Sequence, residues 1–544
     1  MTQSWLVILP PLIVIIFATI TRRVLPALIA GIVSAALIVG DFNIFSASQL
    51  IATRFLEKTE LTKLTSWESF QTCYYLFILA FLFIIGILIA IIQRSGATYA
   101  YGNFVMKHIS TARGAERSSL LLSTLLFIDD YFPCLTVGAV MQPVTDRFKV
   151  PRAKLATMVS FIAAPLAIIA PLSSWAAFIM GQLRSSGVST TITTSTIVHA
   201  HPFELYLRCI PFMMYAPIVI ISLWYVVSRR LSYGIIAQQE AIAQTTGNLW
   251  GGKSPILRSS PEESSAQAGT IIDFLFPIVL LFASILCSIF YLGGWTVFGG
   301  THTLFESING DLIPAAFCIG GLFTILATLI FFVTRSRISC NMLSTIITEG
   351  MSSQASTALT LLFIWTLSVI LHKDLQTGAY LANILSGYMS LRLLPLIFFL
   401  LAVTIATLMG TAWGTMTMLI PLGLSMLPSL LGMNTPLDMT SSPLLFALIG
   451  AIVSGSVVGN HISPIADVML MTATSSGAYH LDVVKSQMSL SLPTLFSASC
   501  AFGLLGLLIQ HYNSAISAAL SLLVGIIINI TVLHMLTWLG KRNS

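Results

Sequence analysis

The chain is built of long apolar runs separated by short polar ones. A bilayer-spanning helix needs about 20 apolar residues. Runs of that kind fall at 5–21, 24–40, 74–93, 155–182, 205–228, 272–292, 312–334, 357–372, 444–475, 488–510 and 514–540. Basic residues gather in the polar runs: Arg22 and Arg23 between the first two spans, Arg94, Lys107, Arg113 and Arg117 after the third, and Arg147, Lys149, Arg152 and Lys154 further on. Loops rich in Lys and Arg stay in the cytoplasm, so the N-terminus is expected outside and the C-terminus in the cytoplasm.

Two more apolar stretches, 118–145 and 393–425, stand apart. Both flanks of 118–145 are basic and so belong on one side, which predicts a re-entrant hairpin. Non-helical backbone at that depth is tolerated only where protein or a water-filled cavity surrounds it. The stretch 393–425 is read as a similar hairpin entering from the other side. The predicted fold is all-α, a polytopic membrane protein with about eleven transmembrane helices plus two re-entrant hairpins. Its organisation reads as a first half over 1–228, a cytoplasmic linker over 229–271 (with Pro255, Pro261, Glu262 and Glu263), a second half over 272–490 and C-terminal transmembrane helices over 491–544.

Composition excludes most other classes. Of 544 residues, 56% are hydrophobic and 8% charged, with a mean hydropathy of +0.91; a soluble protein carries about 25% charged residues. A soluble enzyme, a disordered chain and a nucleic-acid partner are therefore not expected; the bilayer is. The net charge of +6 is the surplus that cytoplasmic basic loops produce. The seven cysteines are scattered without a CxxC spacing, so neither a disulfide framework nor a zinc site is expected. The N-terminus lacks a basic segment before its apolar run and reads as a retained span. No Walker A, HExxH or GxSxG element occurs. The chain is thus expected to be neither an ATP-driven pump nor an enzyme, and no cofactor is expected.

The halves repeat one another. Ser95-Gly96-Ala97 matches Thr377-Gly378-Ala379, each after an apolar helix, and the same offset carries Asp129-Asp130-Tyr131 onto Thr411-Ala412-Trp413 without a gap. Pro171 pairs with Pro464 once an insertion around 430–442 is allowed for. The charge assignment runs the two halves in opposite senses, so the repeat is inverted, as in secondary transporters whose broken helices meet near the bilayer midplane.

The polar centres of the repeat are the candidate site. Asp129 and Asp130 lie within an apolar stretch, where a charge costs about 2.5 kcal/mol or more. Adjacent carboxylates do not both ionise cheaply in a poor dielectric, so such a pair can trade H⁺ for a cation. Neighbouring helical residues point about 100° apart, which suits one to ligand duty and the other to capping the helix. Gly410 and Gly414 permit unwinding that frees carbonyls, and Thr411 and Thr415 add hydroxyl oxygens. Gly459 and Pro464 read as a helix break with Asn460, Ser463 and Asp467 as oxygen ligands, while His461 either carries a proton or packs. In the first half Pro165 and Pro171 read as a broken helix with Ser173 and Ser174 beside it. Asp129, Asp130 and Asp467 are the expected ligands of a transported cation.

FIDDYFPCLTVGAVMQPVTDRFKVPRAKLA, IAPLSSWAAFI, GTAWGT and GNHISPIAD, in this order, resemble the NhaC-type sodium/proton antiporter family. The resemblance runs from the first span to about residue 490. It implies a bacterial inner-membrane secondary antiporter that exchanges cytoplasmic Na⁺ or Li⁺ for external H⁺ by alternating access; a homodimer is kept as an option. The family usually places an acid where this chain has Asn460. An ion-coupled organic-anion exchanger of the malate/lactate type is the alternative. No buried Arg or Lys is evident, so such an anion would rest on hairpin-end N–H groups and serines. An intramembrane hydrolase using Asp129 and Asp467 is disfavoured by the inverted repeat.

Overall fold

A computed structural model describes all residues except 1–4, 22, 67–68, 71, 257–269, 309–311, 386–389, 434, 440–441 and 543–544. Arg22, Pro261, Glu262 and Glu263 lie outside the described residues. Among the described residues ten helices are long and apolar enough to cross a membrane, and Trp5–Thr21, Val24–Val39 and Leu394–Met409 are shorter apolar helices. The protein is a multi-pass, all-α membrane protein.

Burial sorts these helices. The window in Leu444–Ile462 is 94% buried and that in Arg152–Ile169 89%, against 33% for Ile271–Leu292 and for Ser514–Gly540. The first two form the centre; the last two present apolar side chains such as Val279, Leu523 and Ile527 outward, the face that lipid covers.

Two expected stretches are helix pairs. Ala112–Leu125 and Tyr131–Arg147 are joined through a break at the acidic pair. Their outer ends meet: Lys154, just beyond the second arm, bonds Glu116 of the first at 2.7 Å, and the Arg147 guanidinium donates to the Met106 carbonyl at 3.5 Å. The second pair is Leu394–Met409 and Ala412–Leu431. A Cβ on Gly423 would sit 3.3 Å from the Phe398 ring; the two residues are equally far from the break, so these arms also fold back on one another.

Two predicted spans are broken helices. The run 155–182 divides into Arg152–Ile169 and Ser174–Ser185, and 444–475 into Leu444–Ile462 and Asp467–Ser476. Pro171, Gly410 and Pro464 stand at real breaks. Pro165, Gly414 and Gly459 do not, which corrects the sequence reading: all three lie inside continuous helices. Pro165 removes one backbone hydrogen bond, a loss that a helix packed on every side withstands. Gly459 serves packing. A Cβ there would overlap that of Ala406 and lie 2.7 Å from the Thr407 nitrogen, and a Cβ on Gly455 would meet the Phe399 carbonyl. Gly455 and Gly459 thus let Leu444–Ile462 cross Leu394–Met409 at backbone contact, as small residues do in membranes.

The linker is partly structured. Gly234–Thr246 is a helix, and its Glu240 bonds Lys154 at 2.5 Å. A small parallel sheet was not expected: Val188 pairs with Val198 and Val198 with Leu437, tying the segment after the first broken helix to the insertion in the second half.

Gly459→Val is expected to cost about 1–3 kcal/mol, since overpacking cannot be relieved against backbone, and to lower the melting temperature in detergent. Gly503→Ala, whose Cβ meets only the Leu396 side chain at 3.7 Å, is expected to leave it nearly unchanged. Equal melting of the two variants would remove the close-packing role of Gly459.

Candidate functional site

Four helix breaks converge. The first two are tied by Ser174, whose N–H donates to the Ile128 carbonyl at 2.9 Å and whose hydroxyl donates to Asp129 at 2.8 Å. The last two touch directly: Gly410, at φ 71°, faces Ile465, whose carbonyl oxygen a Cβ would approach to 3.3 Å. Gly410 takes the left-handed conformation that ends Leu394–Met409, with its N–H on the Ala406 carbonyl at 2.8 Å. The halves join through aromatic rings. Trp413 stacks on Phe178 at 4.4 Å between centroids and meets Trp175 edge-on at 5.5 Å.

The two acids at the first break have different surroundings. Both are buried, Asp129 at 4% exposure and Asp130 at 3%. Asp129 accepts from the Tyr131 N–H at 2.9 Å and from Ser174, so both of its oxygens are bonded. It closes an Asx turn at the start of Tyr131–Arg147. Asp130 makes no cap hydrogen bond. It lies beside the Trp175 indole and within electrostatic reach of Asp467.

Asp467 is the first residue of Asp467–Ser476 and is exposed to an open cavity of about 450 Å³. Tyr131, Gly410, Thr411, Trp413 and the cationic Arg23 share that cavity's wall. The carboxyl-bearing Asp467 and the hydroxyl-bearing Thr411 and Tyr131 therefore line one volume, oxygen chemistry that suits hard cations. Among the described residues no three His, Cys, Asp or Glu side chains converge as a metal site. Of the expected ligands Asp129, Asp130 and Asp467, Asp129 has both oxygens bonded at the turn, whereas Asp130 makes no cap bond and Asp467 opens on the cavity.

The other predicted residues divide. Ser173 is the N-cap of Ser174–Ser185, accepting from the Ala176 N–H at 3.0 Å and donating to the Ala167 carbonyl at 2.7 Å. This is a brace within the break. Thr415 donates to the Thr411 carbonyl at 3.0 Å, one turn back in its own helix. Thr411 caps Ala412–Leu431 and lines the cavity. His461 is fully buried, bonded through Nδ1 to the Tyr215 hydroxyl at 3.0 Å and packed 5.0 Å from the Phe161 ring. Asn460 is buried beside it, and the Ser463 hydroxyl is buried with no partner among the described residues.

The sequence reading missed two buried lysines. Lys154 is held between Glu116 and Glu240, and Lys58 lies under Tyr75. Both stand in polar surroundings along the chain, and no local signal marks them for burial.

Comparison with known proteins adds the family. Over 521 residues the chain is 27% identical to an uncharacterised protein of Haemophilus influenzae, with 95% of this chain and 94% of the relative covered. It is similar in fold to the YdaH transporter of Alcanivorax borkumensis, at 14% identity and a TM-score of 0.46 over 85% of this chain and 89% of that one. MtrF of Neisseria gonorrhoeae, described within a class of antimetabolite efflux pumps, gives 13% identity and a TM-score of 0.39 over 87% and 83%. Residues 166–510, which begin beyond the acidic pair and include the other three breaks' Pro171, Gly410 and Pro464, match the Na⁺/H⁺ antiporter family, and the chain belongs to that family.

Proposed function

We propose that the protein is a secondary antiporter of the bacterial inner membrane that exchanges cytoplasmic Na⁺ or Li⁺ for external H⁺. One observation carries the reading: Asp130, a buried carboxylate free of cap duty, directly precedes Tyr131, which lines the same cavity as a second carboxylate, Asp467. Two acids so placed repel when both are ionised, and the repulsion is relieved either by protons or by a cation between them. The two ligands compete for the same charge, and that competition couples the fluxes. Asp467 meets the cation first, from the cavity. Thr411 and the carbonyls freed at Gly410 replace part of its water, and Asp130 completes the inner shell. The paired breaks act as an inverted repeat whose halves rock about the Trp175–Trp413 contact, giving alternating access.

Asp130→Asn is expected to abolish Na⁺-dependent collapse of a pH gradient in everted vesicles while insertion and melting stay near wild type. Asp129→Asn is expected to lower stability as well, by about 1–2 kcal/mol, because it weakens bonds to Tyr131 and Ser174. Full exchange in Asp130→Asn would overturn the carboxylate mechanism. A labelling experiment tests the cavity independently. In a background lacking the exposed Cys287 and Cys340, Thr411→Cys is expected to react with a membrane-impermeant thiol reagent and to be protected by Na⁺, whereas Ser463→Cys, fully buried, stays unlabelled. Equal labelling of both would show that the cavity is not the aqueous route.

A further inference from the structure

At the end of the bundle where Tyr75–Arg94 begins there is a second cavity, of about 350 Å³. It lies some 19 residue rises from Arg94, about 28 Å at 1.5 Å per residue, and so at the opposite end from the basic loop that Arg94 opens. Its walls nonetheless carry Lys58, Lys63, Arg184 and Lys373. The positive-inside bias explains cations at the other end and does not extend to these, which share the walls with Glu57 and Glu60.

Lys58 forms the floor. It is 5% exposed, its ammonium donates to the Tyr75 hydroxyl at 3.0 Å, and it lies 4.3 Å from that ring's centroid. An ammonium has three donors. The acids nearby are engaged elsewhere. Glu57 and Asp374 bind Arg54 at 3.0 and 2.6 Å. Glu60 binds Lys63 at 2.8 Å and accepts from the N–H groups of Tyr74, Tyr75 and Leu76. Among the described residues no carboxylate pairs with Lys58. The other buried lysine, Lys154, has two. Buried charges are normally paired, and an unpaired ammonium facing a polar cavity has a place for an anion.

We propose that this cavity binds a compact oxyanion, a carboxylate or phosphate group, whose oxygens take the two remaining Lys58 donors while Lys373 closes over it from the rim. The anion arrives either free in solution or as the headgroup of an anionic lipid. The segment that completes the wall is pinned in place: Ser195 accepts through its carbonyl from His372 at 2.8 Å, and the parallel sheet anchors the same segment to the second half.

Protonation sets the pH range. Burial lowers the Lys58 pKa to about 8, with Glu57 and Glu60 opposing the fall and Arg184 and Arg54 adding to it. Tyr75, His372 and Lys373 face the same volume. The ammonium form is required, so affinity is full below that pKa and is lost as pH rises through it. A bound anion favours the charged form and moves the loss to higher pH.

The test is binding to the full-length purified protein, read by calorimetry and thermal shift without any ion gradient, and so separately from the exchange proposed for Asp130. The probes are inorganic phosphate and succinate in detergent, and phosphatidylglycerol in nanodiscs against a zwitterionic lipid. Saturable binding is expected in wild type, weakened about tenfold or more by Lys58→Gln and about threefold by Lys373→Gln. Binding is expected to fall above the Lys58 pKa. A response to the soluble anions assigns a free ligand; a response to phosphatidylglycerol alone assigns a lipid headgroup at the same site. Lys373 is exposed, so its variant keeps the test readable if Lys58→Gln does not fold. No response to any probe, or equal binding by wild type and both variants, overturns the proposal.

Discussion

A helix interrupted inside a bilayer exposes backbone N–H and C=O groups that lipid cannot bond. The central architecture answers that constraint. Each of the four breaks is closed by something from a neighbour or from the break itself. The Ser174 N–H reaches the Ile128 carbonyl, Asp129 takes the Tyr131 N–H, Ser173 takes that of Ala176, the Gly410 N–H returns to Ala406, and the Ala466 N–H reaches the Ser463 carbonyl. The breaks are therefore mutually dependent: the first is completed by the second, and the third packs on the fourth. A polar volume at membrane depth exists because these groups satisfy one another and leave a few oxygens over.

The same constraint divides the acidic pair. One carboxylate is consumed in closing the turn, and its partner one residue on is left without that duty. Placing a charge at such depth costs several kcal/mol, and holding Asp129 with an N–H and a hydroxyl lowers that cost for one residue only. Asp130 is compensated by no cap. In the proposed exchange its compensation is supplied in turn by a proton and by a cation.

Much of this was legible in the sequence. Apolar runs located the spans, because a bilayer imposes a length on them. The DD doublet, Pro171, Gly410 and Pro464 located the breaks, because such residues have few other reasons to sit in an apolar run. What was not legible depends on contact. Pro165 and Gly459 carry the same local signal as Pro171 and Gly410, yet they lie in unbroken helices. Their difference is the neighbour they meet: for Gly459, the backbone of Leu394–Met409 at van der Waals distance. Lys58 and Lys373 are over three hundred residues apart in the chain, and only folding brings them to one cavity. That one of Asp129 and Asp130 would close the turn was legible as a rule of helical geometry; which of them did so depended on the position of Ser174.

Asn460 bears on the charge that the proposed exchange can move. It is buried in the turn before the fourth break, next to a histidine already bonded to Tyr215. An acid at that position would be a further buried carboxylate beside the fourth break. With an amide there, and with Asp129 tied into its turn, two carboxylates remain to titrate in the proposed cycle. Two is then the largest number of protons that one bound cation can displace from them. A cation bound between two ionised carboxylates leaves one negative charge uncompensated, and the fully protonated site carries none. Proposed exchange at two protons per Na⁺ would thus move net charge, whereas exchange through one of the acids alone would not, so the stoichiometry is governed by whether Asp467, open to the cavity, ionises together with Asp130.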